Sequence, residues 1–154
     1  MFDDLRDLYQ EVILDHGRKP RNFRRLEDAD RSARGDNPMC GDRMELWLKL
    51  GPEGEIADAA FLGRGCAISM ASASLMTETV KGKTQAQAKE MGEKFRILAM
   101  TGTCPECNGA IAEDMERLAP LSGVHEFPSR VKCATLAWHT LKAALEGTKE
   151  ATSE

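Results

Sequence analysis

The residues best suited to chemistry in this chain are five cysteines and one aspartate beside them. Cys40 lies in the turn-like run Gly35-Asp36-Asn37-Pro38-Met39-Cys40-Gly41-Asp42, Cys66 follows Gly65 at an expected helix start, and Cys133 is expected to enter the last helix. A helix N-terminus presents unpaired N–H groups and partial positive charge, which favour the thiolate that binds metal or attacks sulfur. Cys66 and Cys133 would both benefit. Taken singly, each cysteine is more often a small buried hydrophobe than a ligand; together, beside glycines and helix starts, they read as a site. Asp42 could add a carboxylate to the same metal, or could be a solvated or capping residue after the turn glycine. Spacing alone does not decide. If Cys40, Asp42, Cys66 and Cys133 converge, Zn²⁺ would be held by three thiolates and a carboxylate, with the hard oxygen as the natural ligand to leave. Its departure would open a position, or free a thiolate, while the metal stays bound.

The remaining pair, Cys104-Pro105-Glu106-Cys107, can be half a zinc site, a redox dithiol or a chance pair. It could supply ligands in place of Cys40 or Cys66, although a peripheral feature with occasional disulfide formation is the favoured reading. A nucleobase deaminase would need His-x-Glu and Pro-Cys-x-x-Cys around its zinc. His16-Gly17-Arg18, His125-Glu126-Phe127 and His139-Thr140-Leu141 lack the first element, and Pro105 falls inside the pair. None of the three histidines is the chosen ligand: His16 is expected to end the first helix and to pack or cap there, His125 to lie in a loop, and His139 to face solvent on the last helix. The methionines read as core filler.

The elements that must position these groups follow from periodicity. Phe2, Leu5, Tyr9, Val12, Ile13 and His16 recur at helical spacing, with Asp3 and Asp4 where the helix dipole favours negative charge. Pro20, Asn22 and the charged run from Arg24 to Arg34 predict a loop or irregular edge strand. Met44, Leu46, Leu48 and Leu50 alternate, and Gly51-Pro52-Glu53-Gly54 turns the chain into 56–62, predicting an antiparallel hairpin. The small-residue run 67–76 predicts a helix able to lie close to the sheet or to a site. Thr84 and Gln87 form a capping box before Ala88, Met91, Phe95 and Leu98. A short helix over 110–119 stops at Pro120, and the stripe Cys133, Leu136, Ala137, Thr140, Leu141, Ala144 and Leu145 predicts the last. Strands early and helices late give an α+β expectation: a small antiparallel sheet with helices on one face, as one domain over 1–146, and a polar, frayed tail over 147–154.

A chain of 154 residues with 42% hydrophobic and 30% charged residues suits one compact core. A formal charge of −4 lacks the basic excess that a nucleic-acid partner would require. Residues 1–5 have neither the basic start nor the apolar stretch of a signal peptide, and no window approaches a membrane span. An odd cysteine number is unlike a secreted disulfide framework, which leads to the expectation of a reducing cytoplasmic setting with metal-bound or reactive thiols.

Several long motifs in order resemble the IscU-like scaffold family of iron–sulfur cluster assembly, in particular its SufU branch. They are Leu8-Tyr9 through Asp15-His16, Pro20-Arg21-Asn22, Asn37-Pro38-Met39-Cys40-Gly41-Asp42, the run Gly63 to Ser74, and Arg130-Val131-Lys132-Cys133-Ala134-Thr135-Leu136-Ala137-Trp138. The resemblance extends from about Leu5 to Leu145. It implies that Cys40, Asp42, Cys66 and Cys133 form a zinc-binding set, with Arg130 either assisting Asp42 or a thiolate from outside it or lying at the surface. Lys132 and Phe127-Pro128-Ser129-Arg130-Val131 stand where the chaperone-dependent branch has a histidine and a Leu-Pro-Pro-Val-Lys segment, departures that favour SufU. The resemblance further implies a SufS-type cysteine desulfurase as sulfur donor, whose pyridoxal phosphate belongs to that partner, and a downstream Suf scaffold or apo-protein as recipient. Cys40, whose flanking glycines permit movement that helix-anchored Cys66 and Cys133 lack, is the favoured sulfur acceptor. The alternative is a scaffold that carries a transient iron–sulfur cluster on the same cysteines; a third reading is a zinc-stabilised interaction domain.

Overall fold

The computed structural model describes residues 2–38, 41–106 and 109–152. The chain begins with α1 (Phe2–Arg18) and continues through β1 (Arg31–Asn37), β2 (Asp42–Leu50) and β3 (Ile56–Arg64). Four further helices follow, α2 (Ala67–Val80), α3 (Gln85–Thr101), α4 (Ala112–Leu118) and α5 (Pro128–Glu146), and then a short strand, β4 (Glu150–Thr152). Single 3-10 segments, Gly109–Ile111 and Ala119–Glu126, flank α4. The fold is α+β, as expected.

The sheet order is β3-β2-β1-β4. The hairpin β2–β3 is antiparallel, with Leu46 opposite Phe61 and Leu48 opposite Ala59, so the predicted alternation places both rows on the helical side. Two features differ from expectation. The charged stretch ends in a regular internal strand: β1 pairs with β2 on one side and with β4 on the other. Its inward positions are Ala33, Gly35 and Asn37, too small or too polar to advertise a buried face. The tail does not simply fray, since Glu150 and Ala151 pair parallel with Arg34 and Gly35, making the sheet mixed.

One hydrophobic cluster joins β1, β2 and β3 to all the helices after α1, through Leu46, Phe61, Met76, Met91, Phe95, Leu118 and Leu141. Helix α2 sits between α1 and α5 and is buried on nearly every side. Its small residues permit that depth: Ser72 Oγ donates to the Ala134 carbonyl at 2.5 Å, which brings α2 and α5 into close approach. On the outer sheet face Leu26 and Ala29 cover Trp47 and Ala60, and the Arg25 guanidinium lies 5.7 Å from the Trp47 ring centre.

Close approach also fixes Gly35, because a Cβ there would overlap Thr140 Oγ1 on α5. Gly35→Ala is expected to destabilise the protein by about 1–3 kcal/mol through overpacking. A thermal melt unchanged from the wild type would contradict this packing.

His16 lies in the last turn of α1 and packs against α2, as expected. It is buried, and its Nδ1 lies 2.7 Å from Ser74 Oγ, which also accepts the Arg21 N–H at 2.8 Å. Burial holds the His16 imidazole below its ordinary pKa. The unfolded state, with histidine near about 6.5, therefore binds more protons in mildly acidic solution. The stabilising contribution of neutral His16 is present above that value and is lost as pH falls through the folded pKa. The melting temperature of the wild type should fall more steeply between pH 7 and pH 5 than that of His16→Gln; parallel curves would remove His16 from the effect.

Candidate metal centre

The hairpin β1–β2 and the β3–α2 junction bring one carboxylate and two thiols together. Asp42 opens β2, directly across from Asn37 at the end of β1. Gly41, at φ +72°, supplies the left-handed turn and donates its N–H to the Asn37 carbonyl at 2.9 Å. Cys66 is the N-cap of α2, its sulfur 3.4 Å from the Ser69 N–H donor. Cys133 is fully buried on α5. One ligand atom each from Asp42, Cys66 and Cys133 lies within 4.8 Å of the others.

Cys133 is not at a helix entrance, contrary to the sequence reading. Proline at the first position starts α5 at Pro128, leaving Cys133 five residues further on with its sulfur near the Ser129 carbonyl at 3.6 Å. The first residues of α5 are exposed and carry no apolar stripe, so periodicity shows the helix only from Cys133 onward. The helix-terminus argument therefore applies to Cys66 alone.

Asp42 is completely buried, and both carboxylate oxygens have donors. Oδ1 accepts the Cys66 N–H at 3.0 Å, and Oδ2 accepts from Asn37 Nδ2 at 3.2 Å. The same Asn37 nitrogen is 3.7 Å from Cys133 Sγ. A buried carboxylate is costly unless its charge is met by such donors or by a cation. Its setting answers the turn-cap alternative: the carboxylate faces two sulfurs, away from solvent. Two soft sulfurs and one hard oxygen at this separation fit a thiolate-preferring divalent ion such as Zn²⁺, whose usual count would take a further ligand.

Asn37 was not singled out by sequence reasoning as a site residue. The available signal was its place in the sequence, before Cys40 as Asp42 is after it. Gly65 is also part of the arrangement, because a Cβ there would overlap Asp42 Oδ1. Gly65→Ala is expected to push the carboxylate off the Cys66 N–H and weaken metal affinity by about 10–100-fold, the range for residues that orient ligands. Competition with a colourimetric chelator measures this; wild-type affinity would show that the carboxylate position is unimportant.

Cys40 and Cys107 lie outside the described residues, so convergence is seen for three of the proposed four ligands. Arg130 is exposed on the first turn of α5, three positions before Cys133. Cys104 is half-buried against the main core and disulfide-bonded, and the Lys94–Glu106 ion pair at 2.8 Å ties its segment to α3. His125 is exposed, whereas His139 is half-buried in a cleft between α3 and α5, where burial lowers its pKa. Neither belongs to the Asp42 group.

With this fold and this group of ligands, the comparison with known proteins is decisive for the class: the chain belongs to the family of NifU-like N-terminal domains, whose model matches residues 8–153. The zinc-dependent sulfurtransferase SufU of Bacillus subtilis is 44% identical over 140 residues, 90% of each chain. The iron–sulfur cluster assembly scaffold protein IscU of Streptococcus pyogenes is 36% identical, covering 92% of this chain and 85% of its own length. A candidate iron–sulfur cluster assembly scaffold protein for the SUF system from Fervidobacterium islandicum has a crystal structure with a TM-score of 0.78 and 32% identity, covering 88% of this chain and 94% of that one. No described helix is long and apolar enough to cross a membrane.

Proposed function

We propose that this protein is a zinc-dependent sulfur acceptor in iron–sulfur cluster assembly, which receives persulfide sulfur from a cysteine desulfurase of the SufS type and stimulates it. The observation that carries the reading is the buried Asp42 carboxylate beside the Cys66 and Cys133 sulfurs. The similarity to a zinc-dependent sulfurtransferase supports the choice of metal and chemistry. Cys40, Asp42, Cys66 and Cys133 would hold the zinc, and Arg130 would steady Asp42 or a thiolate from outside that set. Bound zinc keeps its cysteine ligands as thiolates at neutral pH.

The transfer is a thiol–disulfide type exchange. The Cys40 thiolate attacks the outer sulfur of the donor persulfide. A sulfur–sulfur bond forms to Cys40 as the donor's own sulfur–sulfur bond breaks, and that electron pair leaves on the donor thiolate. The proton on the outer sulfur travels with it, so the exchange needs no external oxidant or reductant. Asp42 and the cage of donors around it keep the rest of the site ordered. The persulfide is then passed to a downstream Suf scaffold or apo-protein in the cytoplasm.

The names of the IscU relatives support a second reading, a scaffold that carries an iron–sulfur cluster on the same cysteines. Metal analysis of protein purified without added metal separates the two. About one zinc per chain with no sulfide is expected; iron and sulfide in comparable amounts would favour the scaffold.

A further inference from the structure

The backbone of α3 does not require a glycine at position 92. Gly92 lies midway along the helix in ordinary right-handed backbone, where glycine is a poorer helix former than alanine. Close packing does not require it either, since a Cβ at Gly92 would meet nothing nearer than Trp138 Cε3, at an ordinary contact of 3.5 Å. Gly35 and Gly65 differ, because a Cβ at either would overlap a neighbour. What the missing side chain leaves open is the cleft between α3 and α5, a cavity of about 230 Å³ whose apolar lining includes Trp138, Leu141 and Leu145.

The same cleft holds polar capacity that the chain itself does not use. Trp138 stacks on Phe95 with ring centres 5.4 Å apart, and its buried Nε1–H has no hydrogen-bond partner among the described residues. A buried donor left unpaired is a cost to the fold. Although the chain carries a formal charge of −4, the charged groups lining the cleft are Lys89, Arg96 and Lys142 against Glu93 alone. Arg96 reaches Glu93 at 3.4 Å, and Lys89 reaches Glu146 at 4.0 Å from outside the lining. Exposed pairs of this kind contribute little and exchange readily. Lys142 has no ion-pair partner among the described residues, and it flanks the half-buried His139.

We propose that the α3–α5 cleft is a docking site for an acidic segment of a partner protein, which seats one bulky apolar side chain over Gly92 and Trp138 and sets carboxylates against Arg96 and Lys142. The cavity is smaller than the roughly 300–1,000 Å³ of small-molecule and cofactor sites, and suits a single large side chain. Cationic groups around an apolar floor select an occupant that is acidic around an apolar anchor. None of Asp42, Cys66 and Cys133 lines the cleft. His139 stands six residues beyond Cys133, about 9 Å further along α5, so the segment and the metal group occupy separate places. The inference goes beyond the zinc reading and does not depend on it.

The test titrates the ¹⁵N-labelled, zinc-loaded protein with a capped Asp-Glu-Phe-Glu-Asp peptide. Its two indole N–H signals report opposite faces, because Trp138 lines the cleft and Trp47 lies on the outer sheet face. The Trp138 signal should shift to saturation while that of Trp47 stays in place. Gly92→Leu, which fills the floor, should weaken binding more than about tenfold, and the surface change Lys142→Glu about tenfold, with zinc content unchanged in both. Gly92→Ala should melt about 2–4 °C above the wild type. An unmoved Trp138 signal, undiminished binding by both weakened variants, or equal affinity for a capped Lys-Gln-Phe-Gln-Lys peptide would overturn the proposal. A lower melting temperature for Gly92→Ala would also overturn it, by making the glycine a requirement of the fold. Two further results would assign the cleft to another occupant and equally overturn it: tighter binding of octanoate than of the peptide, which indicates a small acid, and a Trp138 shift on raising protein concentration alone, which indicates a second copy of the chain.

Discussion

Cys40→Ala is expected to cut sulfur uptake from a cysteine desulfurase by more than about 100-fold, as removal of an attacking nucleophile does. The expectation follows from what the other thiols are already doing. Cys66 caps α2 through its sulfur, and Cys133 is fully buried within α5, so neither can move far toward a donor. Cys40 stands in sequence between Asn37 and Asp42, next to Gly41, whose left-handed backbone has open space around it. Mass spectrometry of the protein after incubation with desulfurase and cysteine reads the transferred sulfur directly. Uptake at the wild-type level by Cys40→Ala would overturn the assignment of roles; because Cys40, Cys66 and Cys133 all belong to the proposed zinc set, zinc content is measured on each variant alongside uptake.

Cys133→Ala carries the second large effect, on the metal. Alanine suits a helix interior, so α5 should persist, and the change removes one sulfur from the group while leaving Asp42 facing an empty space. Zinc affinity is expected to fall by more than about 100-fold, beyond the effect of losing a residue that only orients a ligand. Zinc bound to the folded state alone raises its stability by mass action, so the rise in melting temperature on zinc addition should vanish in the variant. Full zinc occupancy with an undiminished thermal response would exclude Cys133 from the site.

Much of this arrangement was legible in the sequence, for identifiable reasons. The β2–β3 hairpin has a clear alternating face and a glycine-bounded turn, and α3 has both a capping box and a buried stripe. β1 was hidden because its buried side is made of alanine, glycine and asparagine, selected by the nearness of α5 and by the site rather than by hydrophobicity. The start of α5 was hidden because its first turn faces outward. Asp42 was legible as a candidate from its place after Cys40 and Gly41, but its burial and its two donors depend on contacts between distant segments. Asn37 illustrates the same limit: an asparagine before proline reads as a turn residue, and only the cross-strand pairing turns it toward the thiol and carboxylate.

The central claim is that zinc on this protein serves sulfur transfer, and desulfurase turnover tests it most directly. Alanine production from cysteine would be followed with the enzyme alone, with the zinc-loaded chain, and with a zinc-loaded Cys104→Ser, Cys107→Ser double variant. The account predicts strong stimulation by the wild type and equal stimulation by the double variant, with zinc content unchanged. Absence of stimulation by a fully zinc-loaded wild-type chain would contradict it, and loss of zinc in the double variant would show that the ligands lie elsewhere.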